Sequence, residues 1–149
     1  MHEELHVGEW IRTVLMADTG PGGLFDPTAT EVPSGVYRDP IPPDRQLPAI
    51  RFTPIVTQDV RGATAPTARI MVRVDMLIVY VRRGHGIAPL LTQVDRLDSL
   101  LHDSEGETDD VQIFKCIRIE PFDVVDSSRD SPEQYRHVGG IYRIHCQAK

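Results

Sequence analysis

Arg69-Ile-Met-Val-Arg-Val-Asp-Met-Leu-Ile-Val-Tyr-Val-Arg82 is the stretch that decides the fold. Read as an extended chain, it puts Ile70, Val72, Val74, Met76, Ile78 and Tyr80 on one face. Arg69, Arg73 and Asp75 open the other face before Leu77, Val79 and Val81 take it over. One half of this strand is therefore expected to be wet on one side, and the other half covered on both. At ~3.3 Å per residue it would span roughly 45 Å, beyond the ~40 Å diameter of a compact chain of this size. It is expected to project beyond the core or to bend.

Upstream, Thr57 to Thr67 is small, polar and turn-forming, and reads as a flexible hairpin loop. Ser34 to Arg38 and Ala49 to Thr53 read as short strands, with Ile50 and Phe52 sharing a face. Pro54 calls for a free edge or a bulge, since proline donates nothing to a ladder. Nine of the 12 prolines fall between Gly20 and Pro66, which excludes long helices there. Before them, Glu3 to Ala17 spaces Val7, Trp10, Ile11, Val14 and Leu15 as one face of a helix, which glycine and proline end at Asp18 to Gly23.

Downstream, Ile87, Leu90, Leu91, Val94, Leu97 and Leu101 mark a second amphipathic helix, with Pro89 in its first turn. Asp103 to Asp110 carries five acids in eight residues and reads as a solvated loop. Two strands follow. Val111 to Glu120 sets Ile113, Ile117 and Ile119 on one face, and Tyr135 to Gln147 does the same for Val138, Tyr142, Ile144 and Cys146. A polar loop, Asp126 to Pro132, is expected between them. The fold class is α+β: one mostly antiparallel, twisted sheet of about four to five strands, two amphipathic helices packed on it and a long projecting β-hairpin, in a single domain over residues 1–149.

Composition narrows the function. The longest uncharged apolar run, Met76 to Val81, is far short of the ~20 residues of a membrane helix, and the acidic N-terminus does not resemble a secretion signal. A net charge of −6 argues against wrapping phosphate backbones. Of the 16 basic residues only Lys115 and Lys149 are lysines. Arginine suits fixed, bidentate contacts across protein surfaces, although a GC-rich genome produces the same bias. Cys116 and Cys146, in strand-like segments, read as reduced core residues.

The sequence contains no phosphate loop, nucleophile elbow, His-Glu-x-x-His or Cys-x-x-Cys. His145, Cys146 and Cys116 are zinc-ligand types, yet adjacent residues of a strand point to opposite faces. A Cys116/His137 or Cys116/His145 nucleophile pair would need an orienting third group and a pocket. The acidic run lacks the spacing of an EF-hand. No catalytic residue, cofactor or metal is expected. The most suggestive surface is instead Arg69, Arg73 and Asp75 on the long strand, with Arg82 and Arg83 at its end and Arg61 near the hairpin loop. Alternating charges on one face of a ribbon can pair with a neighbouring subunit, or simply be solvated.

The order of elements resembles the tail terminator, or tail completion, proteins of long-tailed bacteriophages. The likeness is carried by the N-terminal helix, Val36-Tyr-Arg-Asp-Pro-Ile-Pro-Pro43, Leu47-Pro-Ala-Ile-Arg-Phe52 and the long hairpin strand. The helix Ile87 to Leu101, Cys116-Ile-Arg-Ile-Glu-Pro-Phe-Asp123 and Gly139-Gly-Ile-Tyr-Arg-Ile-His145 complete it. The proline-rich first third and the acidic 103–110 segment depart from it. The resemblance implies a structural virion protein, assembled in the host cytoplasm, that performs no chemistry. It would form a homo-oligomeric ring, usually a hexamer, on the tail tube protein, end polymerisation and present the surface for the head-tail connector (stopper) protein. Genomic DNA would pass through the lumen without specific binding, and no membrane would be involved. Another neck-ring protein, or a small ligand-binding or hydrolytic α+β domain built around His145 and Cys116, is the alternative.

Overall fold

The computed structural model describes residues 3–29, 32–39, 41–42, 44, 48–61, 66–81, 88–127 and 133–149, with side chains outside 3–4, 59–90 and 125–135. Two helices and six strands make a mixed α+β arrangement: α1 (Glu3–Met16), β1 (Val36–Arg38), β2 (Ala49–Arg61), β3 (Pro66–Val81), α2 (Ala88–Leu101), β4 (Ser104–Glu107), β5 (Val111–Ser127) and β6 (Glu133–Ala148). The strands hydrogen-bond in the order β1-β2-β3-β6-β5-β4. Among the described residues β1–β2 pairs in parallel, and the β2–β3, β3–β6, β5–β6 and β4–β5 ladders are antiparallel.

Both helices cover the same face of the sheet. Val7, Trp10, Ile11 and Leu15 of α1 and Val94, Leu97 and Leu101 of α2 are buried against Val36, Ile50, Phe52, Val111, Ile113, Cys116, Val138, Tyr142, Ile144 and Cys146. Ile50, Met76 and Val138 stand in one cross-strand row, and Ile70, Ile144 and Cys116 in another. The inward-facing β6 residues are thus those that its period-two pattern marks. Glycine admits a close approach beneath α1: a Cβ at Gly106 would lie 2.6 Å from Trp10 Nε1.

Several sequence expectations change. Thr57 to Thr67 is not a loop: β2 runs to Arg61 and β3 starts at Pro66, with Thr57, Gln58, Asp59 and Val60 paired to Ile70, Arg69, Ala68 and Thr67. Ladder hydrogen bonds outweigh the turn-forming composition there. Residues 62–65 lie outside the described ones. Pro54 sits at a bulge, as its missing N–H requires, between the Val72 and Met71 pairings. β3 is hydrogen-bonded on both sides from Ala68 to Leu77, leaving only Pro66 and Thr67 beyond its β6 neighbour.

The acidic segment is also structured. Ser104 to Glu107 forms the edge strand β4, with Glu105 and Glu107 exposed and Ser104 and Gly106 turned toward the protein. The Ser104 hydroxyl donates to the Leu101 carbonyl at the end of α2, and Asp103 takes a positive φ of 62° to make the corner. Only 108–110 remains a turn. Acids on alternate positions of an edge strand keep their solvation and discourage edge pairing with another chain.

In β5, register shifts between Ile113 and Lys115 and between Arg118 and Glu120 break the simple alternation. Ile113 and Cys116 are buried while Ile119 is 42% exposed, so the expected Ile113-Ile117-Ile119 face does not exist. Two bulges insert extra residues and rotate everything after them. β5 also continues through Pro121 to Ser127, absorbing the start of the expected loop; residues 128–132 lie outside the described ones. Leu91, placed on the core stripe of α2 by its spacing, is 40% exposed. Ile87 lies outside the described residues.

Candidate functional site

The second face of the sheet carries neither helix. It is built from cross-strand rows, since residues directly opposite one another in a ladder share a face. Gln58, Arg69, His145 and Lys115 form one row; Thr53, Arg73, Ile141 and Glu120 another; Arg51, Asp75, Gly139 and Phe122 a third. The register therefore brings Arg69, Arg73 and Asp75 to one face of β3, with basic, acidic and aliphatic residues of β2, β5 and β6 beside them. Arg61, opposite Pro66 at the hairpin end, has the opposite parity and does not join them. Arg82 and Arg83 lie outside the described residues.

Where side chains are described, this face is held by specific contacts. Arg51 donates from Nη1 to Asp39 Oδ1 at 3.3 Å, and its Nη2 lies 2.8 Å from Nδ1 of the buried His137. His145 meets the edge of Phe114, ring centroids 5.8 Å apart at 65°. Arg143 is exposed between Ile117 and Met71 in its row. Large apolar side chains also reach solvent here and at the bulges: Ile55, Val56, Phe114, Ile119 and Val124. The sequence signals part of this. Pro54 announces the bulge that carries Ile55, whereas nothing in the β5 sequence announces the one at Phe114 that turns Ile117 away from the core.

Cys116 and His145, the nucleophile and zinc-ligand types that the sequence marks on these strands, are not gathered. Cys116 stands opposite Ile144, and His145 opposite Lys115, so the thiol points into the core and the imidazole to the other face. Cys116 and Cys146 are both buried and form no disulfide. Burial pushes the Cys116 thiol up to about 12, which leaves no thiolate near neutrality. Tyr142 is raised too, by burial and by Asp98, whose Oδ1 accepts its hydroxyl at 2.9 Å. His137 is separated from Cys116 by the sheet in the same way, for it stands opposite Val124 and Leu77.

No family model and no curated protein matches the chain. Among the described residues no helix is long and apolar enough to cross a membrane.

On the helix side, three potential metal ligands converge that the sequence reading did not single out: His6 and Glu9 from α1 and Asp110 from the β4–β5 turn. The His-x-x-Glu spacing on a helix was available as a signal, but its third member is 101 residues away in sequence, and only the fold brings it near.

Proposed function

We propose that this chain is a tail terminator of a long-tailed bacteriophage: a virion protein that forms a ring, usually a hexamer in this family, on the end of the tail tube. The observation that carries the reading is the helix-free sheet face, where Arg69 stands in register with His145 and Lys115, Arg73 with Glu120 and Asp75 with Arg51, among exposed Val56, Phe114 and Val124. A face of mixed charge with apolar side chains between them suits a subunit or tube contact, because such interfaces combine apolar anchors with paired charges that fix register. A ring closes head-to-tail contacts on themselves and so limits growth.

The β2–β3 hairpin serves this reading as the part that grips a neighbour or the tube, although only Pro66 and Thr67 of β3 extend past β6. The net charge of −6 suits a lumen through which DNA slides, since an acidic lining repels phosphates. The head-tail connector protein would dock on the exposed rim of the ring. Assembly would take place in the host cytoplasm and the product would reside in the virion neck.

Co-purification tests the reading. Retention on polymerised tail tube supports a terminator. Retention only on the portal-side connector would reassign the chain to another neck ring.

A further inference from the structure

We propose that His6, Glu9 and Asp110 form a binding site for a divalent transition-metal ion, with zinc the ion that its donors suit. His6 Nδ1 lies 3.3 Å from Asp110 Oδ2 and 3.5 Å from Glu9 Oε2. The three ligand atoms lie within 4.8 Å of one another. His6 Nδ1 has under 1 Å² of accessible surface and no hydrogen-bond partner, although two carboxylates face it. The imidazole is 27% exposed overall, but this nitrogen is enclosed and faces two carboxylates without a well-formed hydrogen bond, and an ion held between the three groups would satisfy all of them.

The two distances from His6 Nδ1 fit such an ion. Zinc binds imidazole nitrogen and carboxylate oxygen at about 2.0–2.2 Å, so neighbouring donors of a tetrahedral site stand about 3.4 Å apart. The two contacts of Nδ1 bracket that spacing. One nitrogen with two carboxylate oxygens is a donor set for zinc and its transition-metal neighbours; calcium and magnesium prefer oxygen alone. Three protein ligands leave a fourth position for water, and Glu9 and Asp110 also border a shallow hollow with Arg12, Glu107 and Asp109.

The ligands sit on elements that hold them in place. His6 and Glu9 are three residues apart on α1 and so share a helix face. Asp110 is fixed by its N–H donating to Thr108 Oγ1 at 3.3 Å and by its carbonyl accepting from Lys149 N at 3.0 Å. A bound ion would tie the first turns of α1 to the β4–β5 turn and to the last residue of β6's extension. This site is independent of any ring assembly.

The test is calorimetric titration of the full chain with zinc chloride near neutral pH, with magnesium and calcium chloride as comparisons and cobalt chloride as a spectroscopic probe. One zinc per chain is expected, with a cobalt spectrum of low coordination number. His6→Ala, Asp110→Asn and Glu9→Gln should each weaken zinc by about tenfold or more, while circular dichroism stays that of the parent chain. With three separate variants, an unfolded one does not remove the test. No zinc binding would overturn the proposal, as would binding that all three folded variants retain, or tighter binding of magnesium than of zinc. A plain histidine–carboxylate ion pair would give the first of these results.

Discussion

Arg96 holds Asp18 in a fork: Nε donates to Oδ2 at 2.9 Å and Nη2 to Oδ1 at 2.6 Å. The same carboxylate accepts the Leu24 N–H at 2.8 Å. The pair ties the turn after α1 to the middle of α2 and seats Leu24 in the core. The Arg96 guanidinium is the largest cause that holds the Asp18 carboxyl below its ordinary range.

Asp18→Asn should therefore destabilise the chain by about 1–2 kcal/mol at neutral pH, the scale of lost charge-assisted hydrogen bonds. A carboxyl whose folded pKa is depressed contributes stability above its unfolded value, near 3.9, and loses it as the pH falls through the folded value. Urea midpoints of parent and variant should differ at pH 7 and converge as the pH is lowered below about 4. A gap that widens in acid would contradict the fork.

Gly106→Ala places a methyl group 2.6 Å from Trp10 Nε1 in a buried, well-packed spot. Trp10 is 3% exposed within the core, so the cost should be about 1–3 kcal/mol, as for overpacking generally. The urea midpoint measures it. The same substitution at Gly20, where an added Cβ meets nothing within 4 Å, should be nearly neutral.

Cys116 should resist alkylation in the folded chain. Its thiol is fully buried and raised to about 12, so no thiolate forms between pH 7 and pH 9. Iodoacetamide labelling followed by mass spectrometry should modify it only after denaturant is added, and raising the pH to 9 should not change that.

Arg73→Glu tests the helix-free face. Its row contains Glu120 on β5, and it is two residues from Asp75 on its own strand. Reversal should leave the monomer's circular dichroism that of the parent, which keeps a loss of binding separate from a loss of fold. Binding to tail tubes should fall strongly. A matched Arg12→Glu change on the helix side should leave that binding intact.

Much of the frame was legible in the amino-acid pattern. Trp10, Ile11 and Leu15 announced α1, and Val94, Leu97 and Leu101 announced α2. Val138, Tyr142, Ile144 and Cys146 announced the inward face of β6. All of these depend on a regular period, which the sequence states directly. What failed depended on irregularity or on pairing. Ile117 and Ile119 left the core because bulges at 113–115 and 118–120 reset the alternation. Thr57 to Arg61 extended because β3 supplied a ladder partner that local composition cannot reveal. Asp103 to Asp110 reads as a loop because acids dominate its composition, whereas the edge strand within it depends on Ser104 and Gly106 turning inward. The convergence of His6, Glu9 and Asp110 is tertiary and leaves no local trace beyond a His-x-x-Glu spacing.

The terminator reading stands or falls most directly on electron microscopy of tail tubes assembled with and without the purified chain, paired with mass determination of the bound species. Rings of a fixed copy number at one tube end, together with arrested elongation, are the predicted result. A chain that stays monomeric in the presence of tubes, while the tubes grow as long as they do without it, would contradict it.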